Sequence, residues 1–489
     1  MDISEKFVRF AQKGNTNRQR FIIGDAGNMP FKCGSFQVVV MLFTIHHIAL
    51  DHKMILEEAV RCCTEKIIIV DHLQDESGFR RIIKSLWWKI KDKGFLPEND
   101  PVASTKRDFA VVNPDTDLAM TWEPIDAFFT SMDVFMESVP QLIEDRRFRE
   151  EVVSFLRSYP YDIQDYSTEC LERLFKNYCY MASAYVHALH ETTATRLPKE
   201  IAIPLKELAK RLDREPILSY SCYALNNWRR KDPSKPIVLE NIELQQNFSK
   251  NHKTDEDWFI LIHVDIEARA ADGISAIKEY RDSYLKDSPP TLIEHCDRMK
   301  YEGRLRRMHS SLRMMNVTMS RMPENCSDNF YFKAVRPFIF GFDKVTYEGI
   351  FQSGDPVLTL RGETGAQSSI VPAFVAALKV EHTDSILTTH LKDMRKYMPR
   401  EHREFLRDVE SINAAGQVGT FREMAKTHDG CKGLYNSCLE ELLKFRTLHL
   451  QFAIDYIQKK VDDPTGTGGT PFIPWLTQLK DETEARYIK

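Results

Sequence analysis

The 489-residue chain carries 43% hydrophobic and 28% charged side chains, with 20 glycines and 22 prolines. That ordinary globular balance excludes collagen-like, low-complexity and mainly disordered chains, and the length allows roughly two to four domains. Lys+Arg 67 against Asp+Glu 71 gives a net charge of -4, so no basic face for a nucleic-acid partner is expected.

At the amino end, residues 1–14 are charged and lack an apolar run ahead of a small-residue cleavage site, so no secretory signal is read there. The pattern then alternates: strand-like 20–23, a polar turn, strand-like 36–43, a helical run over 52–63, and strand-like 66–70. This is an α/β rhythm. His46 and His47 follow the second of these strands. Neighbours on a strand face opposite ways, so the two make a poor chelating pair. The stretch 96–117 holds Pro97, Pro101 and Pro114 among Asn and Asp residues and is read as a linker, drawn at residues 101–107.

From about Trp122 onward the pattern turns long and helical, with runs over 125–155, 168–190, 257–286, 369–379 and 434–459. No repeat of solenoid length is found. The longest apolar runs, 38–43 and 370–378, fall well short of the roughly 18 residues a membrane span needs. A cytoplasmic protein with no membrane partner is therefore expected. The ten cysteines include no CxxC pair and one adjacent pair, Cys62 and Cys63, which fits reduced thiols better than a disulfide framework or a zinc site. In the last long run Leu442, Phe445, His449, Phe452 and Tyr456 recur at spacings of three and four, one apolar face with an imidazole at its centre. A histidine so placed is satisfied either by a carbonyl or by coordination, and spacing alone leaves both open.

Longer motifs carry two resemblances. The run Gly24-Asp25-Ala26-Gly27-Asn28-Met29-Pro30-Phe31, with residues 35–39, His46-His47 and residues 67–72, resembles the second half of a class I methyltransferase. In that family the acidic residue matching Asp25 contacts the adenine of S-adenosylmethionine (SAM). The first strand and glycine-rich turn of such a fold find no counterpart here. Residues 1–100 are therefore read as a truncated, incomplete α/β, methyltransferase-like segment, and SAM binding is not expected.

The segment Arg446-Thr447-Leu448-His449-Leu450-Gln451 resembles the proximal-ligand helix of the indoleamine 2,3-dioxygenase family, in which one neutral imidazole binds haem iron. Residues 197–204, 227–233, 362–369, 394–399 and 466–470 resemble the same family in the same order, and the likeness covers about residues 108–489. It implies a mainly α fold, with a smaller helical domain over 108–250 and a larger all-helical haem-binding domain over 251–489. It also implies a monomer with one haem b (iron protoporphyrin IX) per chain. The expected reaction inserts O2 across the indole C2–C3 bond of L-tryptophan or a related indoleamine, giving N-formylkynurenine at the entry to the kynurenine route. Two alternatives stand beside it: a haem enzyme of indole secondary metabolism performing monooxygenation or rearrangement, and a non-catalytic haem or indole sensor.

The resemblance also assigns residues. His449 is the expected iron ligand, with Thr364 and Arg446 on the cofactor side. Arg336, in Ala334-Val335-Arg336-Pro337, matches the arginine that grips the substrate carboxylate, a task suited to a planar fork of donors. Thr467 matches the residue that meets the ammonium group. Tyr220, Tyr223, Phe259, Tyr331, Phe332 and Gly365 correspond to the pocket lining. His263 falls where mammalian indoleamine enzymes carry serine and where related tryptophan dioxygenases use histidine, so it is expected on the distal side, accepting the indole N–H. Two positions depart from the family pattern. Val375 stands where an aspartate pairs with the arginine matching Arg446, which leaves Arg446 to find another partner, such as a haem propionate. Glu363 stands where the family loop has glycine, which alters access to the pocket.

Overall fold

The computed structural model describes residues 36–42, 63–70, 127–160, 166–189, 191–249, 255–286, 295–350, 354–413, 419–461, 466–467 and 472–489. The chain falls into two compact units, Met1–Arg107 and Asp108–Lys489.

In the first unit β1 (Phe36–Leu42) and β2 (Cys63–Val70) pair in parallel, with Val38 beside Lys66 and Leu42 beside Val70. Parallel neighbours need a crossover connection, in keeping with the α/β reading. The strand expected over 20–23, Asp25, His46, His47, the linker, and the helix expected over 52–63 apart from Cys63 lie outside the described residues.

The second unit is mainly α. Its helices include α1 (Ala127–Glu144), α2 (Phe148–Ser158), α3 (Thr168–Val186), α4 (Lys199–Arg211), α5 (Asp255–Lys286) and α6 (His295–Ser320). They continue through α7 (Ile370–Ala377), α8 (Ile386–Met394), α9 (Arg400–Ile412), α10 (Phe421–Thr427), α11 (Asp429–Tyr456) and α12 (Phe472–Glu484). The single helix expected over 125–155 is two. Arg146 takes a left-handed φ of 57°; its N–H donates to Ile143 O at 3.1 Å while the Arg147 N–H donates to Leu142 O at 2.9 Å. That pair of bonds is a Schellman closure, made by arginine where glycine is usual. Local capping explains other starts. Ser167 accepts from the Cys170 N–H ahead of α3, and Thr420 with Glu423 forms a capping box ahead of α10. Asp255, Glu256 and Asp257 place negative charge at the amino end of α5.

The core of this unit lies where α6 packs along both α5 and α11, with α12 against α11 and α7 against α5. Gly273 lets α5 approach so closely that a Cβ there would lie 2.8 Å from the Phe374 ring and 2.9 Å from Ser311 Cβ. Small sheets edge the helices. β3 (Arg196–Leu197), β6 (Phe342–Tyr347) and β7 (Val357–Leu360) form one, and β4 (Trp228–Arg230) pairs antiparallel with β5 (Ile242–Leu244) in another. Two π-helical turns, Ser221–Leu225 and Tyr331–Val335, interrupt the regular elements. Such turns are frequent at functional sites. Among the described residues no helix is long and apolar enough to cross a membrane, and Cys170, Cys179, Cys222, Cys326, Cys431 and Cys438 are free thiols.

Candidate active site

The site is built outward from the first half of α5. Phe259, His263 and Glu267 are spaced by four, so they share one face of the helix. His263 Nδ1 lies 2.7 Å from Phe259 O. A carbonyl can only accept, so Nδ1 carries the hydrogen and Nε2 is left as a bare acceptor. Burial lowers the pKa of this ring, against the opposing pull of the Phe259 bond. It is therefore neutral at pH 7.

Aromatic side chains converge on this face from the two π turns. Phe259 lies 4.7 Å from the His263 ring and 4.8 Å from Tyr331, while Tyr220 meets His263 edge-on at 6.0 Å and Tyr223 lies 6.5 Å from Phe259. Tyr331 reaches Tyr456 of α11 at 5.8 Å. The Tyr223 hydroxyl is buried with no hydrogen-bond partner among the described residues. Arg336 follows the second π turn. It is buried, its guanidinium 5.3 Å from the Phe332 ring and 4.5 Å from Phe340, and burial lowers its pKa while Tyr331 opposes.

A loop over residues 361–369 closes one flank. Gln367 takes the Tyr220 N–H on its Oε1 at 2.9 Å and donates through Nε2 to Gly362 O at 2.9 Å. Ser368 Oγ donates to Glu267 Oε1 at 2.6 Å, and the Tyr220 hydroxyl bonds the same carboxyl. Burial pushes Glu267 up to about 7 against these two bonds. Thr364 accepts from the Ala366 N–H at 3.4 Å, capping a short 3-10 turn, and Gly365 is exposed with open space where a Cβ would stand. Thr467 Oγ1 donates to Glu363 O at 2.6 Å. Glu267, Gln367 and Ser368 were not among the expected site residues; the spacing of four from His263 to Glu267 was the readable signal for the first.

His449 approaches from α11. Its surface is exposed, yet burial, followed by the nearby charge of His263, lowers its pKa to about 4. A side chain is both at once when it faces a recess within the protein. Among the described residues no hydrogen bond engages this imidazole, so a neutral ring nitrogen is available as a donor to iron. These residues fit a haem. Arg446, one turn earlier, points elsewhere. Its guanidinium donates to Leu479 O and Thr483 Oγ1 of α12, and Nη2 lies 3.4 Å from His382 Nε2. His382 Nδ1 in turn lies 2.6 Å from Glu482 Oε2. The partner left open by Val375 is thus this chain of side chains on and beside α12, where a haem propionate had been one expectation.

A mainly α unit that presents a neutral, unengaged imidazole beside clustered aromatic side chains has the makings of a haem protein, in which such a histidine serves as the axial ligand. The chain belongs to the indoleamine 2,3-dioxygenase family, whose model matches residues 87–486; the match begins upstream of residue 108, where the likeness was expected to start. This is a family of haem-dependent dioxygenases. Indoleamine 2,3-dioxygenase 1 of Rattus norvegicus is 27% identical over 400 residues, 77% of this chain and 92% of that protein. Indoleamine 2,3-dioxygenase of Saccharomyces cerevisiae is 28% identical over 373 residues, 64% of this chain and 78% of that protein. A protein named myoglobin from Haliotis madaka is 24% identical over 375 residues, 73% of this chain and 92% of its own length. A methyltransferase domain model matches residues 1–69.

Proposed function

We propose that the chain is a haem dioxygenase acting on L-tryptophan or a related indoleamine, and that both atoms of O2 enter the product, N-formylkynurenine. The observation that carries this reading is a neutral, unengaged His449 close enough to be influenced by His263, whose own ring packs against Phe259 and Tyr220. One haem b per chain, held by His449, supplies the iron chemistry that activates O2. The bare Nε2 of His263 accepts the indole N–H and so fixes the ring. Phe259, Tyr331, Tyr223 and Tyr220 flank the flat indole, and Phe332 with Phe340 holds the Arg336 fork where a carboxylate can take two parallel bonds. Gly365 and Thr467 complete the substrate side, and Thr364 the cofactor side. Arg446 acts through the helix that carries His449. The halves 108–250 and 251–489 both contribute, so neither works alone.

The test is the absorption spectrum of the full chain with haem, before and after reduction under carbon monoxide, beside His449→Ala, followed by product mass from tryptophan. A Soret band that shifts with carbon monoxide and is lost in the variant, with two oxygens added to the product, is expected. One added oxygen would point to monooxygenation. The likeness to a protein named myoglobin favours a second reading, ligand binding without turnover, which unchanged tryptophan in reduced, aerated enzyme would support.

A further inference from the structure

Glu363 is held in place by its backbone. Gly362 and Gly341 let two segments touch: a Cβ on Gly362 would lie 2.3 Å from Ile339 O, and one on Gly341 2.3 Å from Leu360 O. The Glu363 N–H donates to Ile339 O at 3.0 Å, and its own carbonyl accepts from Thr467 Oγ1 at 2.6 Å. Glu363 is thereby stitched to the 3-10 turn Arg336–Ile339 on one side and to Thr467 on the other.

The side chain is only 5% exposed, and among the described residues no hydrogen bond or ion pair reaches its carboxyl. Its charge acts on the hydroxyls of Tyr180 on α3, of Tyr220 and Tyr223 at the first π turn, and of Tyr331 on the second. The carboxyl therefore lies among the aromatic walls of the recess. Burying an acid without a partner is costly, and a ligand that brings the partner recovers that cost on binding.

We propose that the Glu363 carboxyl is the counter-charge for the substrate ammonium group, so that the site selects amine-bearing indoles over indole carboxylic acids that lack the amine. This rests on the reading of the recess as an indole pocket. Arg336 and Glu363, on two stitched segments, then offer opposite charges to the two ends of an amino-acid head group. Burial pushes Glu363 up to about 8, so the free acid is neutral at pH 7. When the ammonium ligand binds, the Glu363 O–H bond breaks and its proton goes to solvent; the ammonium keeps its own protons and pairs with the new carboxylate. The other groups facing it are four tyrosines held above their ordinary range by burial, Arg336 beyond Tyr331, and Glu267, a second acid at about 7 that shares Tyr220 with it; loss of the proton release in the Glu363 variants, with Glu267 intact, separates the two acids.

The experiment measures binding to the ferric holoenzyme, by the Soret band and by calorimetry, for L-tryptophan, tryptamine and indole-3-propionate. Wild type is compared with Glu363→Gln, which keeps the shape, and Glu363→Gly, which removes the side chain. Both variants should bind tryptophan and tryptamine at least about tenfold more weakly and leave indole-3-propionate nearly unchanged. They should also abolish the proton released on tryptophan binding between pH 6 and 8, read from the buffer dependence of the heat. Equal weakening of all three ligands, or no weakening, overturns the pairing and leaves the indole reading standing. A wild-type holoenzyme that binds none of the three overturns both.

Discussion

Replacing His263 with alanine separates a hydrogen-bond acceptor from a proton-transfer base. With Nδ1 committed to Phe259 O at 2.7 Å, only Nε2 can reach a substrate. A neutral acceptor of this kind contributes about 0.5–1.5 kcal/mol, which at 1.4 kcal/mol per tenfold is about 2- to 12-fold in kcat/KM. Full general-base catalysis would contribute about 10²–10⁴-fold instead. The lowered pKa of this buried ring makes it a weak base and favours the smaller figure. The assay is kcat/KM for L-tryptophan and for its N1-methyl derivative, with the Soret band recorded on each protein. His263→Ala should lower tryptophan turnover by about 2- to 12-fold, spare the methylated substrate, which has no N–H to give, and leave the haem spectrum nearly intact. Equal losses on both substrates would refute the N–H contact. Loss of haem would refute the distal placement, and a tryptophan loss beyond about a hundredfold with haem intact would show that His263 moves a proton.

Arg336→Lys keeps the charge and loses the planar fork; KM for tryptophan should rise about tenfold while tryptamine, which has no carboxylate, is unaffected, and parallel losses on both would count against the assignment. Arg446→Leu removes the guanidinium donors to Leu479 O and Thr483 Oγ1, of which Leu479 O keeps the Thr483 hydroxyl as donor at 2.7 Å. Urea unfolding should show a loss of about 1–3 kcal/mol from the lost hydrogen bonds, and an unchanged midpoint would disprove the network. His402 is buried with Nδ1 2.8 Å from Ser369 Oγ, and burial followed by the charge of Arg214 lowers its pKa to about 3. A histidine depressed in the folded chain contributes stability that is fully present above the unfolded value near 6.5. That stability is lost as pH falls from about 6.5 toward 3, by up to about 5 kcal/mol over the window. His402→Gln should flatten this loss between pH 7 and 4 in urea midpoints; an identical slope would argue against it.

The long helices were legible because their apolar spacing is local, and α3, α5 and α11 fall close to where periodicity puts them. The break between α1 and α2 was not, because apolar spacing runs through it and the closing residue is Arg146, which bears none of the marks of a helix stop. The two π turns were equally silent: an extra residue in a helical turn leaves no compositional trace, yet these turns present Tyr223, Tyr331 and Phe332. The pocket residues themselves were read from motif likeness. Their convergence depends on bonds between distant segments, such as Tyr220 N–H to Gln367 Oε1, 147 residues apart, which no local pattern encodes.

The same argument explains how Arg446 tolerates Val375. Read along the chain, the missing aspartate is a lost charge beside a buried cation. In the folded unit the charge is moved rather than lost. Glu482 sits one helical turn after Gln478, whose amide holds its Oε1 at 2.9 Å, and the Thr383 N–H donates to that oxygen at 3.0 Å. The other oxygen takes the Nδ1–H of His382, which leaves Nε2 of that neutral ring to receive Arg446. Burial, followed by the charge of Arg446, holds His382 in its neutral form against the pull of Glu482. An imidazole therefore stands between cation and anion as a spacer. The anion is farther from the guanidinium than a direct ion pair would place it, and burial lowers the pKa of Arg446 to about 10 with only partial opposition from Glu482. Position 375 is then free to be apolar, because the counter-charge it would carry is supplied from α12, which packs on the very helix that presents His449.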